Sequence, residues 1–207
     1  MLFLKLVQNT MVQTIYMAGK QAKTLCDNQI ETAIEAVQTS RHPDRNHAIL
    51  LLSIKAGLRA GEIAKLTWPM VCNASGDVGG TIELYDIAAK NHSGRTIPMH
   101  PQIKRILQKL RRSDNTNGAV IKSERGEAMT AGSIVNWFSD LYRQLHLRGC
   151  SSHSGRRTFI TKAARLIHLT GGSLRDVQQL AGHRSIEMTQ RYIEGDTQAK
   201  RKLIGML

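Results

Sequence analysis

At 207 residues the chain is long enough for one large domain or two small ones with a substantial core. Its 29 Lys and Arg against 16 Asp and Glu give a formal charge of +13, more than solubility requires, which points to an acidic partner, nucleic acid first, over a basic protein with no special partner. Cys26, Cys72 and Cys150 are far apart and fit a reducing, cytoplasmic compartment better than a zinc site. Lys5 cuts the apolar N-terminus shorter than a secretion signal, and no run approaches the about 18 apolar residues of a membrane span.

Residues 1–24 show no clear period and read as a lead-in, partly ordered at most. Asp27 offers an N-cap to "NQIETAIEAVQ", whose Ile30, Ala33, Ile34 and Val37 share one face. Pro43 suits the first turn of a second helix, "DRNHAILLLSIKAG", ended by Gly57, and "RAGEIAKL" is a short third helix stopping at "TWP". The alternating "GGTIELYDIAA" (79–89) and the extended "RTIPM" (95–99), joined by the turn-like "KNHSG", predict a β-hairpin, with a third short strand at Ala119–Lys122. "PQIKRILQKLRR" returns to a helical period, and helices are expected at about 130–146, 155–168, 173–181, 185–192 and 197–207. The fold class expected is α+β, mainly α, with a small three-stranded antiparallel sheet. Trp68 and Trp137 are assigned to the core.

Several residues have the chemistry to handle a phosphate. In "HSGRRTF", His153 and Arg156 lie three apart at a helix start, where backbone N–H groups and the helix dipole also favour an anion. Arg59 follows a helix-ending glycine and leucine and precedes Glu62 by three; Lys90 sits at the predicted hairpin tip; His183 lies nine residues before Tyr192, one of only four tyrosines. Taken singly, each reads more simply as a surface charge or packing residue. His42, His47, His92, His100, His146 and His168 share no ligand spacing with carboxylates and are read as surface or packing residues, so no metal and no cofactor is expected.

Together, Arg59, Lys90, His153, Arg156, His183 and Tyr192 resemble the catalytic set of the tyrosine recombinases, the phage-integrase family. "GLRAGEIAKL" is similar to the family's first arginine box, "HSGRRTF" to its H-x-x-R box, and "LAGHRSIEMTQRY" to its histidine-to-tyrosine box. The resemblance spans residues 25 to about 195. It implies site-specific recombination of double-stranded DNA (integration, excision or inversion) through a 3′-phosphotyrosyl intermediate on Tyr192, without metal or ATP. Arg59 and Arg156 would clamp the phosphate, Lys90 would protonate the leaving 5′-oxygen, and His153 would assist proton transfer at the tyrosine. His183 would hydrogen-bond a non-bridging oxygen, and Glu62 would orient His153 or Arg59 in support.

The resemblance also implies a homo-oligomer, a tetramer on DNA and a monomer free in solution, with no membrane association and a cytoplasmic, nucleoid-associated location. Two departures stand out: Glu194 occupies the position where the family commonly has histidine, and only about 24 residues precede the match where typical members carry a further domain of roughly 80–100 residues. The expectation is a catalytic domain over 25–207 in a short member of the family, or a fragment without the N-terminal DNA-clamping domain. Its tail helix, 197–207, has Ala199, Leu203, Met206 and Leu207 on one side and docks in cis or on a neighbouring protomer. The rival readings are a DNA-binding protein that has lost catalysis and a type IB topoisomerase.

Overall fold

From Ala48 to Ile54 the second helix is apolar or small on every side, and a helix of that kind is stable only when surrounded. It is surrounded: α2 (Pro43–Lys55) is the axis of the fold. Packed on it are α1 (Asp27–Gln38), the short α3 (Ala60–Ala64), α4 (Pro101–Arg112) and α6 (Ser154–Leu166). The structure, a computed structural model, describes residues 21–89, 93–112, 118–192, 201 and 204–207. α5 (Ala131–Gln144) packs on α3, adding Ile134, Phe138, Leu141 and Tyr142 to the core. Trp68 is 1% exposed and Trp137 packs against the core's edge, as expected of anchors.

The predicted hairpin forms from β1 (Thr81–Leu84) and β2 (Arg95–Pro98), antiparallel with Ile82 opposite Ile97 and Leu84 opposite Arg95. Both strands are shorter than their apolar runs, because the chain turns after β1, with the Ala88 and Ala89 N–H groups donating to the Tyr85 carbonyl. The third expected strand does not join this sheet. Around Ala119–Lys122 the backbone divides its hydrogen bonds between residues 66–68 on one side and 127–129 on the other, so only isolated bridges result. The sheet among the described residues is two-stranded.

After α6 comes a 3-10 turn (Ile167–Thr170), then α7 (Leu174–Ala181) and the five-residue α8 (Ile186–Gln190). These elements surround a second, smaller apolar cluster built on Ile160, Val177 and Ala181, against which Tyr192 packs. Of the lead-in, only residues 21–24 are described, and they are tied down: the Lys23 N–H donates to the Gly149 carbonyl, while the Leu25 N–H donates to the Thr158 hydroxyl. The tip of the hairpin and most of the expected tail helix lie outside the described residues; within the tail, Ile204, Met206 and Leu207 are exposed.

Gly155 sets the distance between α2 and α6. A Cβ there would lie 2.3 Å from the Ser53 hydroxyl and 3.0 Å from Ile54 Cγ2, so any larger residue must push the two helices apart. Gly155→Ala is expected to destabilise the protein by roughly 1–3 kcal/mol through overpacking, read as a lower urea midpoint with an unchanged m-value. An unaltered midpoint would show that the helices are not in contact at this point.

Candidate active site

Glu62, 1% exposed in α3, is the point on which the site is assembled. Its Oε1 accepts from the Arg59 guanidinium at 2.7 Å and from Arg95 at 3.1 Å; Oε2 accepts from Arg95 at 3.0 Å and from the Arg59 backbone N–H at 2.9 Å. Burial pushes the carboxyl up, but the hydrogen bonds and charge of Arg95, reinforced by Arg59, overcome it and hold the group down at about 2. Of the two partners expected for Glu62, His153 or Arg59, the structure supplies Arg59.

The other partner, Arg95, was not among the candidates. It opens β2, and the two-residue period of a strand places it on the same face as buried Ile97, pointing inward. A cation on an inward strand face requires a buried counter-ion, and that was the available signal. Its Nε also donates to the Leu180 carbonyl at the end of α7, at 2.8 Å.

Arg156 lies in the first turn of α6 and is 3% exposed. It donates to the carbonyls of Gly57 and Ala181, each at 2.6 Å, and its remaining N–H donors are available to an anion. Burial, then repulsion from Arg59, draws its pKa down to about 10, with Glu62 pulling the other way and Arg95 adding to the repulsion. The group remains a cation at neutral pH.

His183 follows Gly182, which ends α7 in the left-handed region at φ 61°. A Cβ at Gly182 would come within 2.9 Å of Arg95 Nη1, so both the backbone angle and the passage of Arg95 call for glycine. The His183 side chain is buried, with Nδ1 2.9 Å from the Thr189 hydroxyl and its ring stacked on that of Tyr192 at 5.4 Å between centroids. Burial, then the charges of Arg156, Arg59 and Arg95, lowers its pKa to about 4, leaving the ring neutral at neutral pH.

Tyr192 stands just beyond α8, its N–H donating to the Thr189 carbonyl at 3.1 Å, and the Arg157 guanidinium lies 5.8 Å from its ring centroid. Beside it opens a cavity of about 430 Å³ lined by His153, Arg156, Arg157, Arg191 and Tyr192, with Gln21 and Ser151 in its wall. Three guanidiniums on one cavity suit an anion. The structure thus gathers Arg59, Glu62, Arg156, His183 and Tyr192, and it places the exposed His153, immediately before α6, on the same cavity. Lys90 lies outside the described residues. Arg157, the neighbour of Arg156, was not singled out either; its position one residue along the same helix start was the only hint.

The depressed pKa of His183 has a consequence for stability. Between 6.5, the ordinary value, and about 4, the unfolded chain binds a proton at this ring that the folded chain does not. The contribution is therefore complete above pH 6.5 and is lost as pH falls towards 4, whereas that of Glu62 is lost only below 4.5. The urea midpoint is expected to fall between pH 6.5 and 4, and His183→Gln to flatten that part of the curve. If the variant keeps the wild-type slope, His183 is not its source.

The sequence model of the Phage integrase family matches residues 23–199. The tyrosine recombinase XerC of Rickettsia prowazekii (strain Madrid E) is 28% identical over 158 residues, a match covering 72% of this chain and 47% of that protein. The chain thus spans about half the length of the relatives it matches. The XerA recombinase superposes with a TM-score of 0.71 at 24% identity, covering 88% of this chain and 64% of that one; the Tn1549 transposon integrase in complex with transposon right end DNA does so with 0.69 at 19%, covering 89% and 65%. Their shared fold is mainly helical with a small antiparallel sheet. With a family match over nearly the whole chain and the arginine, histidine and tyrosine boxes brought to one place, the chain belongs to the phage integrase family of tyrosine recombinases.

Proposed function

We propose that residues 25–207 form the catalytic domain of a site-specific recombinase that cuts and rejoins double-stranded DNA through a 3′-phosphotyrosyl intermediate on Tyr192. The observation that carries this reading is the unbalanced charge near the tyrosine: Arg59 and Arg95 share the carboxylate of Glu62, Arg156 is held by two backbone carbonyls, and His183, stacked on Tyr192, is neutral. Arg156 belongs both to this group and to the wall of the cavity beside Tyr192, and a phosphodiester seated against it would supply the missing negative charge.

The Tyr192 oxygen attacks phosphorus, forming one P–O bond as the bond to the 5′-oxygen breaks. The tyrosine proton leaves towards His153, and the departing oxygen takes a proton from Lys90, the role that family resemblance gives to that lysine. Charge gathers on the non-bridging oxygens, where Arg59 and Arg156 donate paired hydrogen bonds in a geometry a lysine cannot reproduce, and His183 donates one more. Because one phosphate ester replaces another, the 5′-hydroxyl of a second strand can reverse the step, and the chemistry has no need of ATP or a metal ion.

Integration, excision and inversion use these same steps and differ in the placement of the DNA sites. The protein would act as a tetramer on DNA assembled from monomers, in the cytoplasm. Its +13 charge supports duplex DNA as the partner, and affinity is expected to fall steeply between low and physiological salt, with a flat dependence counting against DNA.

The central experiment uses a nicked duplex carrying inverted repeats from the flanks of the protein's own gene, in the presence of chelator and analysed on a denaturing gel. Wild type is expected to give a covalent adduct at the 3′ side, and Tyr192→Phe none, with DNA affinity little changed; an adduct from the Phe variant would exclude Tyr192 as nucleophile. Arg59→Ala and Arg156→Ala should slow adduct formation about 10²–10³-fold while weakening binding far less, because their strongest contact is with charge that develops in the transition state. Equal losses in rate and binding would reduce both arginines to docking residues.

A further inference from the structure

Thr189 is fully buried, the one such residue of α8. A threonine inside a helix ordinarily turns its hydroxyl back to the carbonyl one turn earlier. Here its hydroxyl instead lies 2.9 Å from His183 Nδ1. Its carbonyl accepts the Tyr192 N–H at 3.1 Å. One residue therefore touches the ring proposed to hold the phosphate and the backbone of the proposed nucleophile.

The direction of the Thr189–His183 hydrogen bond follows from proton counting. A neutral imidazole carries one N–H, on Nδ1 or on Nε2. If Nδ1 held it, Nε2 would turn a lone pair towards an anionic oxygen, and burial, then the charges of Arg156, Arg59 and Arg95, oppose a second proton. For the ring to donate to phosphate, the proton must sit on Nε2, and Nδ1 must accept. The donor in contact with Nδ1 is the Thr189 hydroxyl.

The ring's backbone is held separately. The His183 N–H donates to the Gln178 carbonyl at 3.1 Å, and the Gln178 side-chain amide donates to the His183 carbonyl at 3.0 Å, which ties the residue to α7. We propose that Thr189 is a positioning residue: its hydroxyl donates to Nδ1 of His183, fixing the ring as an Nε2–H donor, and its carbonyl sets the turn that carries Tyr192. This rests on the recombinase reading above. It adds a residue that touches neither DNA nor the reacting atoms.

The test uses Thr189→Val, which keeps shape and removes the hydroxyl, and Thr189→Ser, which keeps the hydroxyl and removes a methyl. In the free wild-type protein, ¹⁵N spectra of the histidine ring are expected to show His183 protonated at Nε2 and bare at Nδ1; a proton on Nδ1 overturns the proposal. In single-turnover adduct formation on the nicked duplex, Thr189→Val should be slower by about tenfold or more, the scale of a lost hydrogen bond that leaves a buried acceptor unpaired. Its DNA affinity should remain close to wild type, its thermal midpoint should fall by no more than the few degrees that one unpaired buried acceptor costs, and Thr189→Ser should recover most of both losses. Wild-type kinetics in Thr189→Val, or a serine variant as slow as valine, would reduce Thr189 to packing. If the wild-type protein forms no adduct, the recombinase reading falls and the positioning role with it, while the ring spectrum independently keeps or rejects the hydrogen bond.

Discussion

The Glu62 carboxylate is the constraint on which the site depends. An ionised carboxylate buried this deeply is tolerable only when paired and hydrogen-bonded, and four donors from Arg59 and Arg95 meet that requirement. The reverse dependence matters as much: two arginines, one capping α3 and one on β2, would repel each other without it. Glutamine would keep the shape of Glu62 but lose the charge that lets the two guanidiniums share one place. By fixing both, Glu62 ties the short helix α3 to the hairpin and places the Arg59 head beside Arg156.

A second source of negative potential comes from the backbone. The last carbonyls of any helix have no partner within it and carry the negative end of its dipole. In α7 two of them, on Leu180 and Ala181, accept from Arg95 and Arg156, and Gly182 turns the chain aside so that both cations can reach them. The α7 terminus thus holds the arginines with partial charges where a further carboxylate would have cancelled the field. The site keeps three guanidiniums against one full negative charge, and the values of Arg156 and His183 are depressed by burial first and by that excess second. Under the function proposed above, an entering phosphate would meet donors already held in place and desolvated, so little reorganisation would be left for the reaction itself.

Much of this was legible in the sequence, for reasons that differ from element to element. Arg59, Arg156, His183 and Tyr192 could be found because each lies in a local box with a fixed spacing, and local spacing survives without knowledge of the fold. The buried helices were equally plain, since the apolar run of α2 has no alternative to burial. Arg95 was hidden because its importance arises from Glu62, 33 residues away, and from an inward strand face that its own charge disguises. The third strand failed for a related reason: the alternation at Ala119–Lys122 reports a buried, extended segment but not its partners, and here the partners are two loops. The domain's extent and the residues proposed to move protons were read from family resemblance, and Lys90 and most of the tail carry no structural argument.

The placement of Tyr192 depends on the short helix α8. α8 has five residues, too few to be stable as an isolated helix, so its position must come from tertiary contacts. Those contacts are few and shared: Thr189 reaches the His183 ring, and the Tyr192 ring lies against the same ring and the small cluster of Ile160, Val177 and Ala181. The arginines, by contrast, each have fixed partners: Arg59 and Arg95 on the buried Glu62 carboxylate, Arg95 and Arg156 on the last carbonyls of α7, and Arg156 also on the Gly57 carbonyl. The cations of the site are therefore held by hydrogen-bonded partners, and Tyr192 by the end of a five-residue helix. His183 thus stands between the two supports of this segment, with the Thr189 hydroxyl on Nδ1 and the Tyr192 ring stacked on its own.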